Sequence, residues 1–248
     1  MYCYIYDEFT QDKRYEKELL EIENRLTDLG LAGKTVRMAL FRNVQEMVRD
    51  EIRRGAKSVI AVGNDETLHK VIDVVSGTDA VLGIIPLGSP NALAKLLGVP
   101  EGVAACDVLS ARIVETIDAG IVNGKRFLTS LSVANFRSEL TCDGLYRITP
   151  DVSGSLEVRN LAEDEYNTEH VSDPTDGRLE TVIRVGVKQG WFGRRIMRES
   201  ILPLTQLAIR SEKPIAVVAD GEEMMGTRFD IGIEEGVMRV ISGRGRKF

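Results

Sequence analysis

Residues 59–68 read Val-Ile-Ala-Val-Gly-Asn-Asp-Glu-Thr-Leu, an apolar run that gives way to a short polar loop. The apolar run is typical of a buried strand, and the residues that follow the loop have the pattern of an amphipathic helix. Residues 81–96 repeat this order, with Val-Leu-Gly-Ile-Ile-Pro-Leu, then Gly-Ser-Pro-Asn, then a helix from Ala92. Two consecutive strand–loop–helix units predict neighbouring parallel strands, whose loops meet at the sheet edge where α/β proteins bind ligands.

The first 112 residues alternate between strand-like and helix-like segments throughout. The predicted strands are residues 2–6, 35–41, 59–63 and 81–87, and the predicted helices are residues 12–29, 43–54, 66–75 and 92–97. This alternation predicts an α/β domain with a doubly wound parallel sheet. We expect residues 1–112 to form this domain, with the two loops as a ligand site whose helix N-termini suit phosphate.

The pattern changes to short strand-like segments after residue 112. Turn dipeptides such as Asn123-Gly124 and Asp220-Gly221 separate these segments, which is typical of an antiparallel β-sandwich. We therefore expect residues 113–248 to form a second, β-sandwich domain on the substrate or lipid side. Within it, residues 196–207 have a pattern compatible with one helix, and residues 243–247 are expected to be frayed.

Composition excludes several classes of function. A net charge of −6 argues against a nucleic-acid partner bound through phosphate neutralisation. The three cysteines, Cys3, Cys106 and Cys142, lack metal-binding spacing, and with only two histidines in the chain a zinc site is not expected. No apolar run reaches the ~20 residues that span a bilayer, and no signal peptide is evident. We expect a cytoplasmic protein with reduced thiols, whose membrane contact is peripheral, at the inner membrane face.

Four segments, in order along the chain, resemble the motifs of one family. Residues 62–68 are similar to a Gly-Gly-Asp-Gly-Thr loop, and residues 85–94 are similar to Ile-Pro-Leu-Gly-Thr-Gly-Asn-Asp-Phe-Ala. Residues 218–222 are similar to Val-Asp-Gly-Glu, and residues 174–179 are more weakly similar to Asp-Gly-x-Leu. The ordered set resembles the diacylglycerol kinase catalytic family, which includes bacterial lipid kinases and sphingosine kinases, with NAD kinases as distant relatives.

The resemblance implies a kinase that transfers the γ-phosphoryl group of ATP to a lipid or lipid-like hydroxyl, with Mg²⁺. It implies that Glu222 is the base, that Asp65 is a second catalytic residue, and that Asp176 and Asp220 lie near the metal or the substrate. The implied nucleotide-binding residues are Gly63, Asn64, Glu66, Thr67, Gly88, Ser89 and Asn91. The implied partners are a nucleotide and a lipid or small hydroxylated substrate, and a homodimer is left open.

The first loop departs from the family pattern at two glycine positions. Asn64 replaces one glycine and is tolerable, because asparagine adopts left-handed conformations more readily than most residues. Glu66 replaces the other and brings a carboxylate close to a polyphosphate. Two unit charges 4 Å apart repel by roughly 4 kcal/mol at an effective dielectric of about 20. Alternatively, Glu66 is a ligand of Mg²⁺, which would turn the repulsion into a metal bridge.

Further departures lie around the two loops. Pro90 replaces a glycine and removes one N–H donor, and Ala92 replaces an aspartate. Lys70 stands where the family usually has glutamate. The segment that begins at Asp7 replaces the family's Asn-Pro-x-Ser-Gly turn.

Three other functions stay open on these residues. The first is a catalytically impaired, regulatory nucleotide-binding protein on the same fold, which Glu66, Pro90 and Ala92 favour. The second is an enzyme like the NAD kinases, although their Asn-Glu pair is not found in this chain. The third is an interaction module without a small ligand. Locally, Asp220-Gly221 and Asp176-Gly177 also have the sequence of simple turns, and Asp65 that of a helix cap.

Overall fold

The computed structural model describes residues 1–38, 43–164, 170–189 and 194–248. The chain forms two compact units, one made of residues 1–117 with residues 236–248 and the other of residues 118–235. Two long strands, Ile113–Val122 and Glu222–Ser242, carry the chain from one unit to the other.

The first unit alternates strands and helices. Its strands are β1 (Tyr2–Tyr6), β2 (Lys34–Arg37), β3 (Ser58–Gly63) and β4 (Val81–Pro86), and its helices are α1 (Glu16–Asp28), α2 (Val44–Arg53), α3 (Asp65–Val75), α4 (Ala92–Leu96) and α5 (Ala105–Ala111). Short 3₁₀ turns at Glu8–Gln11 and Lys13–Tyr15 separate β1 from α1, so that helix begins later than residue 12.

The strands of the first unit pair in parallel in the order β4-β3-β1-β2. All of β3 and β4 is buried, which explains why both strands read as continuous apolar runs and not as alternating ones. Asn43 caps α2 by accepting the Glu46 N–H at 3.2 Å, as its position before an amphipathic run suggests. The predicted parallel α/β sheet is confirmed.

The second unit contains antiparallel strands that begin at the long strand β5 (Ile113–Val122). The further strands are β6 (Lys125–Phe127), β7 (Ser130–Phe136), β8 (Glu139–Cys142), β9 (Tyr146–Ile148), β10 (Gly154–Arg159), β11 (Leu179–Gln189), β12 (Arg194–Leu204), β13 (Gln206–Ala219) and β14 (Glu222–Ser242). Antiparallel pairing runs through β12, β11, β10, β7, β13 and β14, and β13 also pairs with β8. Buried side chains such as Phe136, Leu156, Ile209 and Phe229 form its core.

The helix predicted for residues 196–207 is wrong. These residues belong to β12 and to the start of β13, and β12 pairs with β11 from Leu179↔Leu204 to Gln189↔Arg194. Pairing along the whole of β11 satisfies the backbone groups on one side of β12, whereas Pro203 would interrupt a helix. The short hairpin of β8 and β9 was not predicted, because neither strand exceeds four residues.

The C-terminal segment is fixed to the first unit rather than frayed. The end of β14 pairs in parallel with β4 through Arg239↔Val81 and Val240↔Leu82. Beyond the strand, the Gly243 N–H donates to the Leu97 carbonyl at 2.8 Å, and the Lys247 N–H donates to the Leu96 carbonyl at 3.0 Å. Residues 236–248 therefore belong to the α/β unit, although the division predicted at residue 112 assigns them to the second domain.

In the described ranges no helix has the length and apolar character needed to cross a bilayer. The strand predicted for residues 35–41 is observed as β2, and residues 39–41 lie outside the described residues.

Candidate functional site

The strand order of the first unit defines where a ligand is expected to bind. The chain moves from β1 to β2 on one side and then returns to place β3 on the other side of β1. In open α/β sheets, ligands bind at the carboxyl ends of the two strands where the order reverses. Asp7 follows β1 and Asn64 follows β3, so these two residues begin the candidate site.

The first loop, residues 63–67, is fixed by a capping box at the start of α3. The Asn64 carboxamide oxygen accepts the Thr67 N–H at 3.3 Å, and the Asn64 N–H donates to the Thr67 hydroxyl at 3.1 Å. Gly63 packs so closely on Thr67 that any Cβ at position 63 would overlap the hydroxyl oxygen. Glycine is therefore required at position 63 by close packing, and asparagine at position 64 acts as the helix cap.

Asp7 is a buried anchor of the first loop. Its carboxylate accepts hydrogen bonds from the Thr67 hydroxyl and from the Lys70 ammonium, each at 2.9 Å. Its backbone N–H donates to the Val62 carbonyl at 3.1 Å, which ties the ends of β1 and β3 together. Burial raises the pKa of Asp7, but the hydrogen bonds from Lys70 and Thr67 outweigh it and hold the pKa below its ordinary value.

Asp65 joins the first loop to the second loop, residues 88–91. Its carboxylate oxygens accept the Ala92 N–H at 2.8 Å and the Leu93 N–H at 3.3 Å, at the start of α4. Its backbone N–H donates to the Pro90 carbonyl at 2.9 Å. The carboxylate thus caps a helix in the neighbouring segment, a contact that links the two motifs the sequence pointed to.

The second loop is shaped by Gly88 and Asn91. Gly88 has a φ of 75°, which favours glycine, and an added Cβ would lie 3.1 Å from the Phe9 ring. The Asn91 carboxamide donates to the Gly88 carbonyl at 2.7 Å and to the Glu101 carboxylate at 3.1 Å. The Ser89 carbonyl accepts the Asn64 side chain at 3.0 Å. These contacts bring all seven predicted nucleotide-binding residues, Gly63, Asn64, Glu66, Thr67, Gly88, Ser89 and Asn91, to one edge of the sheet.

The two loops differ in the backbone donors that they leave for a ligand. In the first loop, the N–H groups of Asn64, Asp65 and Thr67 already have acceptors within the protein. In the second loop, the N–H groups of Gly88 and Ser89 have no acceptor among the residues that the structure describes. Ser89 is exposed, so this loop is the more open of the two to an anion.

Glu66 lies exposed on the first turn of α3. Its carboxylate makes no hydrogen bond or ion pair with any side chain in the described part of the chain. An exposed charge is screened by water, so its repulsion of a phosphate is closer to the roughly 1 kcal/mol expected at 4 Å in water than to the larger value for a buried site.

A pocket of about 730 Å³ adjoins the second loop. It is lined by Asn91, Ala92, Lys95, Gly98, Val99, Pro100, Glu101 and Gly245. This volume lies within the range of small-molecule and cofactor sites. The substitution of aspartate by Ala92 makes its wall less acidic, and the C-terminal segment contributes Gly245.

Asp220, in the second unit, builds the turn between β13 and β14. The strands pair up to Ala219↔Glu222, which leaves Asp220 and Gly221 as a two-residue hairpin turn with φ values of 47° and 86°. The Asp220 carboxylate accepts the N–H groups of Leu128, Thr129 and Ser130 at 2.7, 2.9 and 3.2 Å, and it also accepts the Thr129 hydroxyl. Its observed contacts are those of a turn-forming residue.

Glu222 is exposed just beyond the same turn. Its carboxylate lies 3.2 Å from the Lys125 ammonium, and 62% of the Glu222 side chain is accessible. An exposed pair of this kind is weak, so little holds the carboxylate in place. Glu222 is therefore available to a substrate.

Asp176 lies near a second acid that the sequence did not single out. Asp176 accepts the Arg178 N–H at 2.9 Å, and the next residue, Gly177, donates its N–H to Asp118 at 2.9 Å. Burial, and then repulsion by Asp173 and Asp118, raise the pKa of Asp176 above its ordinary value. A carboxyl group with a raised pKa is the kind of group that a divalent cation or a cationic substrate group would stabilise in its charged form.

The described carboxylates fit Mg²⁺ only as an ion that is already bound to the phosphates of a nucleotide. In the part of the chain that the structure describes, no cluster of three or more histidine, cysteine, aspartate or glutamate side chains is arranged to hold a metal. Both carboxylate oxygens of Asp220 already accept backbone N–H groups, from Leu128 and Thr129. Mg²⁺ commonly binds through substrate phosphates with one or two carboxylates, and in that mode it neutralises phosphate charge. That mode needs only one or two protein carboxylates.

Sequence reasoning named Asp7 and Lys70 only as departures from the family pattern, and it missed Glu101 and Asp118. All four hold candidate site residues or their neighbours. Asp7 and Asp118 are each an acid within or just after an apolar strand, and both are buried. A buried acid requires partners, and this signal could have identified both residues. Lys70 and Glu101 follow the motifs by only a few residues but carry no local signal of their contacts.

Comparisons with known proteins agree with this arrangement. The sequence profile described as "Diacylglycerol kinase catalytic domain" matches residues 2–122. A "Probable lipid kinase YegS-like" from Pseudomonas aeruginosa (strain UCBPP-PA14) is 32% identical over 103 residues, which are 41% of this chain and 34% of the relative. A "Diacylglycerol kinase" from Bacillus subtilis (strain 168) is 26% identical over 143 residues, which are 56% of this chain and 47% of the relative. The aligned regions thus span about a third to a half of these relatives.

A crystal structure of a diacylglycerol kinase from Bacillus anthracis str. Sterne has the same fold. The TM-score is 0.79, and the alignment covers 98% of this chain and 97% of the other at 18% sequence identity. At this identity the likeness concerns the fold alone. Residues 2–122, which contain both candidate loops, match the profile of the diacylglycerol kinase catalytic domain.

Proposed function

We propose that this protein is an ATP-dependent kinase that transfers the γ-phosphoryl group to the hydroxyl of a lipid or lipid-like alcohol. The observation that carries the proposal is the joined pair of loops at the edge of the parallel sheet. Asp65 fixes one loop against the other, while Gly88 and Ser89 keep N–H groups without a protein acceptor among the described residues. Phosphoryl transfer depends mainly on positioning and charge stabilisation, which loops of this kind supply.

The residues have distinct roles in this proposal. Gly63, Asn64 and Thr67 shape the first loop, and the second loop binds nucleotide phosphates through Gly88, Ser89 and Asn91. Asp65 holds the second loop against the first, in addition to the catalytic role that the resemblance implies. Glu66, exposed on the first turn of α3, repels the phosphates of the bound nucleotide.

Glu222 is the proposed general base for the acceptor hydroxyl. The proposal is supported by its exposure and by its weak pairing with Lys125, because a base must exchange its resting partner for the substrate. Asp176 and Asp220 are the acids proposed near the metal or substrate. Contacts among Asp220, Leu128 and Thr129 favour a supporting role for Asp220, and the raised pKa favours Asp176 as the one that responds to a cation.

The acceptor is proposed to be a membrane lipid, and diacylglycerol is the first to test, because that substrate is in the name of the Bacillus subtilis relative. A lipid acceptor and ATP together require a cytoplasmic protein with peripheral contact at the inner membrane face. The sequence offers Trp191 and Phe192 for contact with a membrane interface, and both lie outside the described residues. A homodimer stays a prediction.

The test is a direct assay with γ-labelled ATP, Mg²⁺ and vesicles that contain diacylglycerol. We expect labelled phosphatidate in proportion to enzyme and time, and none when Mg²⁺ is chelated. Parallel vesicles with other lipid alcohols, and glycerol in solution, establish the acceptor class. No labelled product with any acceptor would contradict kinase activity.

A catalytically impaired nucleotide-binding protein is the second candidate. Glu66 favours it, because this exposed carboxylate has no neutralising partner in direct contact among the described side chains. Thermal unfolding with and without Mg-ATP separates the candidates. Stabilisation by Mg-ATP without turnover supports the second candidate, and no stabilisation contradicts both.

A further inference from the structure

Two departures from the family pattern contact each other. Asp7 stands in place of the Asn-Pro-x-Ser-Gly turn, and Lys70 stands where the family usually has glutamate. Their side chains meet at 2.9 Å, and the Asp7 oxygen that accepts the Lys70 ammonium also accepts the Thr67 hydroxyl. One carboxylate oxygen thus connects both exchanged residues to the first loop.

Burial makes the pair more than a surface contact. The Asp7 side chain is 7% accessible and the Lys70 side chain is 44% accessible. A buried carboxylate is costly unless it is paired and hydrogen-bonded, so Asp7 depends on Lys70 and Thr67. Loss of the cation would leave a buried anion directly beneath the loop.

Lys70 also lies on the same face of α3 as Glu66. The two residues are four positions apart, the spacing at which a glutamate followed by a lysine interacts favourably on a helix surface. The ammonium has three donors, and Asp7 accepts one of them. The cation is therefore near the Thr67 hydroxyl and one helical turn from the acid that opposes a phosphate.

We propose that Asp7 and Lys70 form a positioning pair that fixes the first loop through Thr67 and places one cation beside it for the phosphates of a bound nucleotide. Asp7 orients the ammonium, and the ammonium offsets part of the charge of Glu66. The nucleotide part of this inference rests on the proposed function. The pair deepens that function, because it supplies a positive charge to a loop that has gained an acid.

The chain offers a matched control for Lys70. The Lys34 ammonium lies 2.7 Å from the Glu51 carboxylate, with side chains 44% and 5% accessible, close to the values for Lys70 and Asp7. Lys34 is the first residue of β2, at the opposite end of the parallel strands from the loops. Glu51 keeps a second cation, Arg54, at 2.8 Å, so Lys34→Met removes an ion pair of similar exposure at a position away from the loops.

The experiment combines two measurements on Lys70→Met, Lys70→Arg, Asp7→Asn, the double variant Asp7→Asn/Lys70→Met, and Lys34→Met. The first is amide hydrogen exchange of residues 64–68 without nucleotide, which tests the loop independently of function. The second is the dissociation constant of Mg-ATP by calorimetric titration. Thermal unfolding of each variant verifies that it is folded.

In Lys70→Met, we expect the loop amides to exchange several-fold faster and Mg-ATP to bind about tenfold more weakly. Lys34→Met should change neither quantity by more than twofold. Lys70→Arg should retain binding within threefold. Because Asp7→Asn keeps an oxygen that can accept the Thr67 hydroxyl, it should weaken binding only by releasing Lys70. The double variant should then bind Mg-ATP no more weakly than Lys70→Met alone.

The possible failures are distinguishable. Equal behaviour of Lys70→Met and Lys34→Met overturns the positioning pair and leaves the proposed kinase function intact. Additive losses in the double variant overturn the orientation of Lys70 by Asp7. If the unmodified protein does not bind Mg-ATP but Lys70→Met loosens the loop, the proposed function and the nucleotide role fail, while the anchoring of the loop is supported.

Discussion

The first loop and the hairpin turn of the second unit each contain one aspartate and one glutamate at candidate positions. In both, the aspartate accepts backbone N–H groups from another segment: Asp65 holds the start of α4, and Asp220 holds the β6–β7 connection. In both, the glutamate is exposed. The shorter side chain reaches the backbone and the longer one stays in solvent, so a ligand finds the glutamates more accessible.

The surroundings of the two pairs differ. Asp65 connects the two loops, and its neighbours Asn64 and Thr67 form a buried polar network with Asp7. Asp220 closes one turn at the edge of its unit, and the adjacent Glu222 has Lys125 as a replaceable partner. The comparison shows that the aspartates hold the shape of the loop and of the turn, whereas the glutamates remain exposed.

The largest effect is expected at Asp220. Asp220→Ala removes the acceptor of three backbone N–H groups and a hydroxyl, and places alanine at a φ of 47°. We expect a loss of about 3 kcal/mol in the free energy of unfolding. Asp220→Asn keeps one acceptor and tolerates the positive φ, so its loss should be less than half as large in chemical denaturation. Equal losses would contradict the role of the carboxylate as a turn acceptor.

A smaller loss is expected at Asp65. Asp65→Ala leaves the Ala92 and Leu93 N–H groups without their cap, which should cost about 2 kcal/mol of unfolding free energy. The same variant should weaken Mg-ATP binding, because the second loop is no longer held against the first. Calorimetric titration and denaturation on one sample measure both effects. Wild-type affinity in a destabilised variant would show that the link between the loops does not matter for binding.

The direction in which Glu66→Gln changes the affinity for Mg-ATP distinguishes repulsion of the phosphates from metal binding. Glu66→Gln should tighten Mg-ATP binding about fivefold, since an exposed charge at ~4 Å repels by about 1 kcal/mol in water. The gain should shrink at high salt. Glu46→Gln is the matched control, because Glu46 is also exposed in the first turn of a helix. Weaker binding by Glu66→Gln would instead identify Glu66 as a metal ligand.

The smallest effect concerns pH. The pKa of Asp7 is lower in the folded state than in the unfolded state, where it is about 3.9. Its contribution to stability is therefore present above that unfolded value and is lost as the pH falls through the folded pKa. Below pH ~4, the wild type should lose stability more steeply than Asp7→Asn, measured as the difference between their unfolding midpoints. Parallel pH profiles would contradict the depressed pKa.

The sequence predicted the parallel unit well because its signals are local. Apolar strands, caps such as Asn43 and Asn64, and glycines after helices follow from short-range rules. In the second unit the same rules misassigned residues 196–207, because β12 is determined by its pairing with β11 and not by its own pattern. Long-range pairing leaves no local signature.

The sequence predicted the two loops of the candidate site but not the contacts that hold those loops in place. The motifs identified Gly63, Thr67 and Asn91, and the structure brings their loops together. The contact of Asp7 with Lys70 could not be predicted, because the two residues are 63 positions apart and meet only when β1 and α3 are folded. The contacts of Asp65 with α4 likewise depend on the pairing of β3 with β4.

The most direct measurement is the rate of lipid phosphorylation by Glu222→Gln at saturating Mg-ATP, with Glu223→Gln on the same strand as control. If the exposed glutamate carries the chemistry, Glu222→Gln should lose at least about a hundredfold in kcat while its thermal stability and its ATP affinity stay at wild-type values. Glu223→Gln should retain full activity. Near-normal turnover by Glu222→Gln, beside an active wild type, would contradict the assignment of the chemistry to this residue.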